Sequence, residues 1–165
     1  MRTPLTRPSL KLITHHLSPI NYIDAATRAA FTLAFAGFLH VGKFTYKESD
    51  RELGPALGKW FIMKRSIRIL ARGSFMELTI PLSKTDPFRR GIKLTIAASK
   101  NRACPVHAMQ QFLDLDIHRG QHSPLFRIGQ SSQQTFTHEY VVQRFQNLAL
   151  IAGLGYSALN SHSFR

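Results

Sequence analysis

The chain has 165 residues, which suits one domain spanning 1–165, and 44% of them are hydrophobic, enough to form a core and to exclude a disordered chain. Its 22 Lys and Arg outnumber its nine Asp and Glu, which gives a formal net charge of +13. That excess favours a polyanionic partner, most often nucleic acid. The single cysteine excludes an internal disulfide, and the apolar run 29–41 is too short to span a bilayer, so no membrane association is expected.

The first third of the chain predicts two helices followed by a loop. Thr6 can cap a helix over 6–17, because Pro8 suits a first turn and the apolar residues fall on one side. A second helix is predicted over 21–40, and its second half is apolar all round, which is typical of a helix buried at the centre of a domain. Glycines and a proline break the polar stretch 41–58, which we interpret as a loop with room for one short helical turn.

Apolar and polar residues alternate in the middle of the chain, which predicts three strands. They cover 67–69, 75–82 and 92–96, with a turn at Lys84-Thr85-Asp86-Pro87. Three antiparallel strands with one apolar face need helices to cover that face.

Two more helices are predicted after the strands. Cys104-Pro105 opens one that runs to about Ile117, and Thr137 caps another that runs to about Ala152. The loop 119–134 between them holds a short apolar piece. The sequence therefore predicts an α+β fold, mainly helical, with a small three-stranded antiparallel sheet.

The last residues are Ser161-His162-Ser163-Phe164-Arg165. A His and an Arg three positions apart share one face of a helical turn. Such a pair offers an imidazole nitrogen and a planar fork of N–H donors to one anion.

Four segments in chain order resemble one known family. They are the apolar helix 33–40, the hairpin Pro81-Leu82-Ser83-Lys84-Thr85-Asp86-Pro87-Phe88, the helix start Cys104-Pro105-Val106, and His162-Ser163-Phe164-Arg165. Together they resemble the catalytic domain of the tyrosine recombinases, or phage-type integrases, and in particular the recombinases of Crypton-type mobile elements. The resemblance covers about 6–165 and implies the fold of the DNA breaking-rejoining enzymes, C-terminally incomplete.

The resemblance implies a set of catalytic residues. In the family a tyrosine attacks the scissile phosphodiester of double-stranded DNA and stays joined to its 3′ side. Two arginines clamp the non-bridging oxygens of the transition state, a lysine protonates the leaving oxygen, and a histidine adds a hydrogen bond. Lys84, His162 and Arg165 match three of these positions, and His40 stands at the position of the first arginine.

The chain departs from the family pattern in three places. His40 cannot form the two-pronged clamp of an arginine, and the loss of one such donor typically costs on the order of 10²–10³ in rate. Lys43 stands where the family has an acidic residue, and the nucleophilic tyrosine would lie after Arg165. Of the tyrosines present, Tyr156 is the nearest to the His-x-x-Arg box. We therefore expect a DNA recombination and integration protein of a mobile element that is catalytically inactive on its own.

Basic residues concentrate in the predicted sheet and its turns. The functional interpretation is a patch that follows DNA phosphates, and the alternative is a solvated sheet face. The predicted DNA-binding residues are Lys43, Lys64, Arg65, Arg68, Arg89, Arg90 and Lys93.

The remaining expectations concern ligands and setting. No cofactor, metal or small-molecule ligand is expected, since Cys104 and His107 are a lone pair at a helix start, where capping is the commoner role. The family assembles through a segment that follows the His-x-x-Arg box, where the resemblance ends, so a monomer is expected. The expected location is the nucleus if the source is eukaryotic and otherwise the cytoplasm. Two alternatives stay open: a basic RNA- or chromatin-associated binding module without recombinase ancestry, and a fragment of a longer protein.

Overall fold

A computed structural model describes residues 5–81, 88, 91–129 and 134–155 of the chain. Within these ranges there are four α-helices: α1 (Arg7–His15), α2 (Tyr22–Gly37), α3 (Pro105–Leu115) and α4 (His138–Ile151). The strands are β1 (Ile67–Leu70), β2 (Phe75–Ile80) and β3 (Ile92–Ala97). The predicted α+β class with a three-stranded antiparallel sheet is confirmed.

Helix α2 is the central element of the core, as its apolar second half predicted. Alanines line much of its buried surface, and small side chains let it pack closely against α3. The helix ends at Gly37, three positions before the predicted end at His40. Phe38 turns into the left-handed region, and Leu39 N–H donates to the Ala34 carbonyl at 2.9 Å, which closes the helix.

The 41–58 stretch is more regular than the predicted loop. It contains 3₁₀ turns at Val41–Lys43 and Glu48–Lys59. The second of these segments is twelve residues long. Their 3₁₀ bonds satisfy backbone groups locally, in a stretch whose glycines and proline had predicted a loop.

The sheet has the order β1-β2-β3, with both pairs antiparallel. One face packs on the helices and buries Ile67, Met76, Leu78 and Ile96. The opposite face carries the polar residues of the same strands. Strand β2 ends at Ile80 in the described part of the chain, and the predicted end at Leu82 lies outside it.

The predicted caps of three helices are confirmed. The hydroxyl of Thr6 accepts from Ser9 N–H at 3.3 Å, and that of Thr137 accepts from Tyr140 N–H at 3.1 Å. Cys104 caps α3, which ends at Leu115 rather than Ile117. None of the helices in the described part of the chain is long and apolar enough to cross a membrane.

Aromatic rings join the loop between α3 and α4 to the core. Phe126, the predicted apolar piece of that loop, is fully buried and stacks on Phe136 with ring centroids 5.5 Å apart. It also contacts Phe112 of α3 at 5.4 Å. Burying three aromatic rings fixes the path of the loop, which in turn positions the segment that pairs with the start of the sheet.

Candidate nucleic-acid interface

The solvent face of the sheet presents two of the predicted DNA-binding cations. Arg68 of β1 pairs with Glu77 of β2 in the ladder, and both side chains point to the face away from the core. Lys93 of β3 lies on the same face, with Nζ 3.8 Å from a Glu77 oxygen and its side chain 70% exposed. Two exposed cations therefore flank a single carboxylate, which leaves a net positive face.

The turn after α2 holds His40 and Lys43. His40 is exposed, and its carbonyl accepts from Lys43 N–H at 2.9 Å, so the two residues share one 3₁₀ turn. The carbonyl of Lys43 accepts from Ile62 N–H at 3.0 Å, which ties this turn to the segment before the sheet. Lys43 is half-buried, and that burial lowers the pKa of its ammonium.

Arg65 is exposed just before β1. Its backbone N–H donates to the Gln121 carbonyl at 2.9 Å, and one guanidinium nitrogen lies 3.2 Å from Nδ1 of His122. The guanidinium also passes over Gly58 so closely that a Cβ there would collide with it. Among the described residues, the side chain is thus held at the surface by an imidazole and a backbone surface.

Lys64, in contrast, is a core residue, although the sequence placed it among the DNA-binding cations. It is 7% exposed, and its ammonium donates to the carbonyls of Asp116 at 2.5 Å and Arg119 at 3.0 Å. A charge enclosed in this way does not reach a phosphate outside. Lys64 is therefore not part of the exposed basic surface.

Sequence reasoning missed the buried network around Asp116. This carboxylate accepts from Tyr22 Oη at 2.7 Å and from Arg119 Nε at 2.6 Å, and it lies 3.5 Å from the Lys64 ammonium. Arg119 also donates to the Pro124 and Leu125 carbonyls at 2.6 Å. A charged Asp-x-x-Arg pair after an apolar helix was the available signal, but Tyr22 and Lys64 lie 94 and 52 positions away from Asp116.

Two tyrosine hydroxyls are committed to internal hydrogen bonds. Tyr22 donates to Asp116, and Tyr46 donates to the Ile62 carbonyl while accepting from Leu125 N–H at 3.3 Å. Burial raises the pKa of both phenols, so both stay protonated at neutral pH. Neither is presented as a nucleophile. Tyr156, weighed as the substitute nucleophile, lies outside the described residues.

The remaining predicted site residues also lie outside the described part of the chain. They are Lys84, Arg89, Arg90, His162 and Arg165. The convergence of Lys84, His162 and Arg165 on one phosphate therefore stays a prediction.

Cys104 acts as a helix cap. Its buried Sγ accepts from His107 N–H at 3.5 Å and from Ser99 N–H at 3.2 Å, so the Cys-x-x-His spacing serves the start of α3. Across the described residues, no three His, Cys, Asp or Glu side chains are grouped so that they could hold a metal ion.

When compared with models of known protein families and with curated protein sequences, the chain matches none of them.

Proposed function

We propose that this protein binds double-stranded DNA through the polar face of its sheet, as a tyrosine-recombinase-like domain of a mobile element. The observation that carries the proposal is the pair of exposed cations Arg68 and Lys93 on one sheet face, in a chain of net charge +13. Phosphate contacts from such a flat basic face position a duplex without reading its bases. We therefore expect weak sequence preference and strong dependence on salt.

The order of the elements supports the recombinase part of the proposal. A buried helix, then an antiparallel sheet, then a helix opened by Cys104-Pro105 follow one another as the family resemblance implies. His40 lies exposed on the turn that follows the buried helix. In a recombinase-like site this position would face the phosphate, and an imidazole there supplies one hydrogen bond instead of a bidentate clamp.

The proposal includes binding without strand cleavage by this chain. His40 replaces the first arginine, and Tyr22 and Tyr46 hold their hydroxyls in the core. A nick-bearing duplex that traps a covalent intermediate tests this part: we expect no protein–DNA adduct on a denaturing gel. A covalent adduct would show that the chain cuts DNA and would overturn the inactive assignment.

The DNA-binding part is tested by removing the two sheet cations. Arg68→Gln/Lys93→Gln should weaken binding to a mixed-sequence duplex roughly ten-fold near 0.1 M salt. The slope of log K against log salt, which is negative, should become less steep by about two. Fluorescence anisotropy at several salt concentrations measures both quantities. Both side chains are exposed, so the fold should tolerate the change.

A charge change of the opposite sign is the matched control. Glu77 lies between the two cations, so Glu77→Gln should tighten DNA binding, whereas Glu52→Gln, at an exposed position in the 3₁₀ segment, should change it less. Equal effects of the two would mean that only net charge matters and that the sheet face is not the contact surface. An RNA of the same length that outcompetes the duplex would favour the RNA-binding alternative.

A further inference from the structure

A second basic surface lies along α1. Arg7, Lys11 and His15 recur every fourth residue and are all exposed, so they form a stripe on one side of the helix. Four residues advance a helix by about 6 Å, so the stripe is about 12 Å long. Two cations and an imidazole at regular spacing along one helix face are suited to a repeating anion.

The segment before α3 approaches this stripe at both of its ends. At one end, Arg7 lines a small cavity together with Ser99 and Asn101. At the other end, a guanidinium nitrogen of Arg102 lies 2.5 Å from Nδ1 of His15. We call the surface shared by the stripe and this segment the groove, and the segment adds Arg102 and the exposed Lys100 to it.

Arg28 of α2 contacts the segment that carries Arg102. One of its guanidinium nitrogens donates to the Arg102 carbonyl at 2.7 Å, and another to Oε1 of Gln111 at 2.9 Å. Its Nε is buried and has no hydrogen-bond partner among the described residues. Burial, and to a smaller extent the nearby charge of Arg102, lowers the pKa of this guanidinium.

The guanidinium groups of the groove have no carboxylate partner within the described part of the chain. Those of Arg28 and Arg102 contact an amide oxygen, a backbone carbonyl and an imidazole nitrogen, and none of these groups is a carboxylate. The acid of α2, Asp24, is paired with Arg144 of α4 at 2.5 Å. Like charges held close together without a counter-charge repel one another, and a bound anion would relieve that repulsion.

We propose that this groove, formed by Arg7, Lys11, His15, Arg28, Lys100 and Arg102, binds the phosphate backbone of a nucleic-acid strand. Guanidinium groups match phosphate oxygens in a two-pronged geometry, and the length of the stripe gives room for more than one phosphate. This inference rests on the proposed function, since it extends the nucleic-acid contacts from the sheet face to the helical side.

Charge removal tests the groove against the sheet face. Lys11→Gln/Arg102→Gln should weaken duplex binding roughly ten-fold near 0.1 M salt. The slope of log K against log salt should become less steep by about two, as for the sheet variant. Each double variant removes two exposed positive charges, so each is the matched control for the other. The four-fold variant should lose both contributions.

A proximity measurement locates the groove on the DNA directly. The only cysteine of the chain, Cys104, is buried, so Lys11→Cys can be labelled selectively with an iron–EDTA reagent that cleaves nearby DNA. We expect cleavage of a bound end-labelled duplex from this position, and little from the exposed Glu52→Cys.

The outcomes separate the two proposals. If the groove variant binds like the wild type and Lys11→Cys does not cleave, while the sheet variant loses affinity, the groove inference is wrong and the proposed function stands. If the wild-type protein binds no duplex, both are wrong.

Discussion

Phe38 adopts a left-handed backbone conformation, with a φ of 50°, at the end of the central helix. For a residue with a side chain this conformation costs about 1–2 kcal/mol, and it is normally reserved for glycine. The ring gains little in return, because it is 76% exposed. The neighbouring glycine, Gly37, lies one position before the left-handed residue and is still part of the helix.

Replacing Phe38 by glycine should therefore stabilise the protein. We expect Phe38→Gly to raise the free energy of unfolding by about 0.5–1 kcal/mol, since the relief of strain exceeds the added freedom of the unfolded chain. The corresponding rise in melting temperature is about 1–4 °C for a domain of this size. Phe38→Ala is the control, because it removes the same ring but keeps the Cβ. A melting temperature of Phe38→Gly no higher than that of Phe38→Ala would show that the relief of strain does not exceed the added freedom of the unfolded chain.

At the scale of elements, the segment from the end of α3 to the bridge at Pro124 is held by charged groups. Met63 pairs with Pro124 in an isolated bridge, and Arg65 N–H bonds the Gln121 carbonyl, so this segment fixes the approach to β1. Lys64 and Arg119 both pair with the carboxylate of Asp116. The network thereby sets the position of the sheet edge that carries Arg68.

Loss of the shared carboxylate should be costly. Asp116→Ala leaves two buried cations without a counter-charge, so we expect a loss of about 3–5 kcal/mol in the free energy of unfolding, measured by urea denaturation. Asp116→Asn, which keeps the side-chain shape and one acceptor, gives a folded variant if the alanine protein does not fold. Asp114→Ala is the matched control, because Asp114 is exposed two residues earlier and should change stability by under about 0.5 kcal/mol. Similar losses at both positions would contradict a structural role for the network.

The sequence separation between interacting residues decided which features could be predicted from the sequence. Thr6 and Thr137 were recognisable as caps because the bonds they accept come from three residues away. Arg68 and Lys93 were placed on the sheet face because their strands alternate with period two. Lys64 was misplaced because its acceptors lie 52 and 55 positions further along the chain. Arg102 was missed for the same reason, since its contact with His15 spans 87 positions.

At the scale of the whole molecule, the buried Tyr46 and the half-buried Tyr22 and Tyr140 contribute to how stability responds to alkaline pH. Burial raises the pKa of Tyr22, Tyr46 and Tyr140 above the usual value of about 10. The unfolded chain therefore releases these protons first, so stability falls as pH rises from about 10. Lys43 has a lowered pKa and acts in the opposite direction, and the loss of positive charge from exposed lysines also reduces repulsion in the folded state.

A difference between two proteins isolates one phenol from these opposing effects. Tyr46 is 3% exposed and therefore contributes close to the full linkage slope of about 1.4 kcal/mol per pH unit above pH 10. Tyr46→Phe should lose about 1–3 kcal/mol at pH 7, because the Ile62 carbonyl and Leu125 N–H lose their hydroxyl partner. Between pH 10 and 11.5 its stability should fall less steeply than that of the wild type, so the two urea midpoints should converge. Parallel curves would mean that the Tyr46 hydroxyl ionises as readily in the folded state as in the unfolded one, which is incompatible with a phenol donating to a carbonyl inside the core.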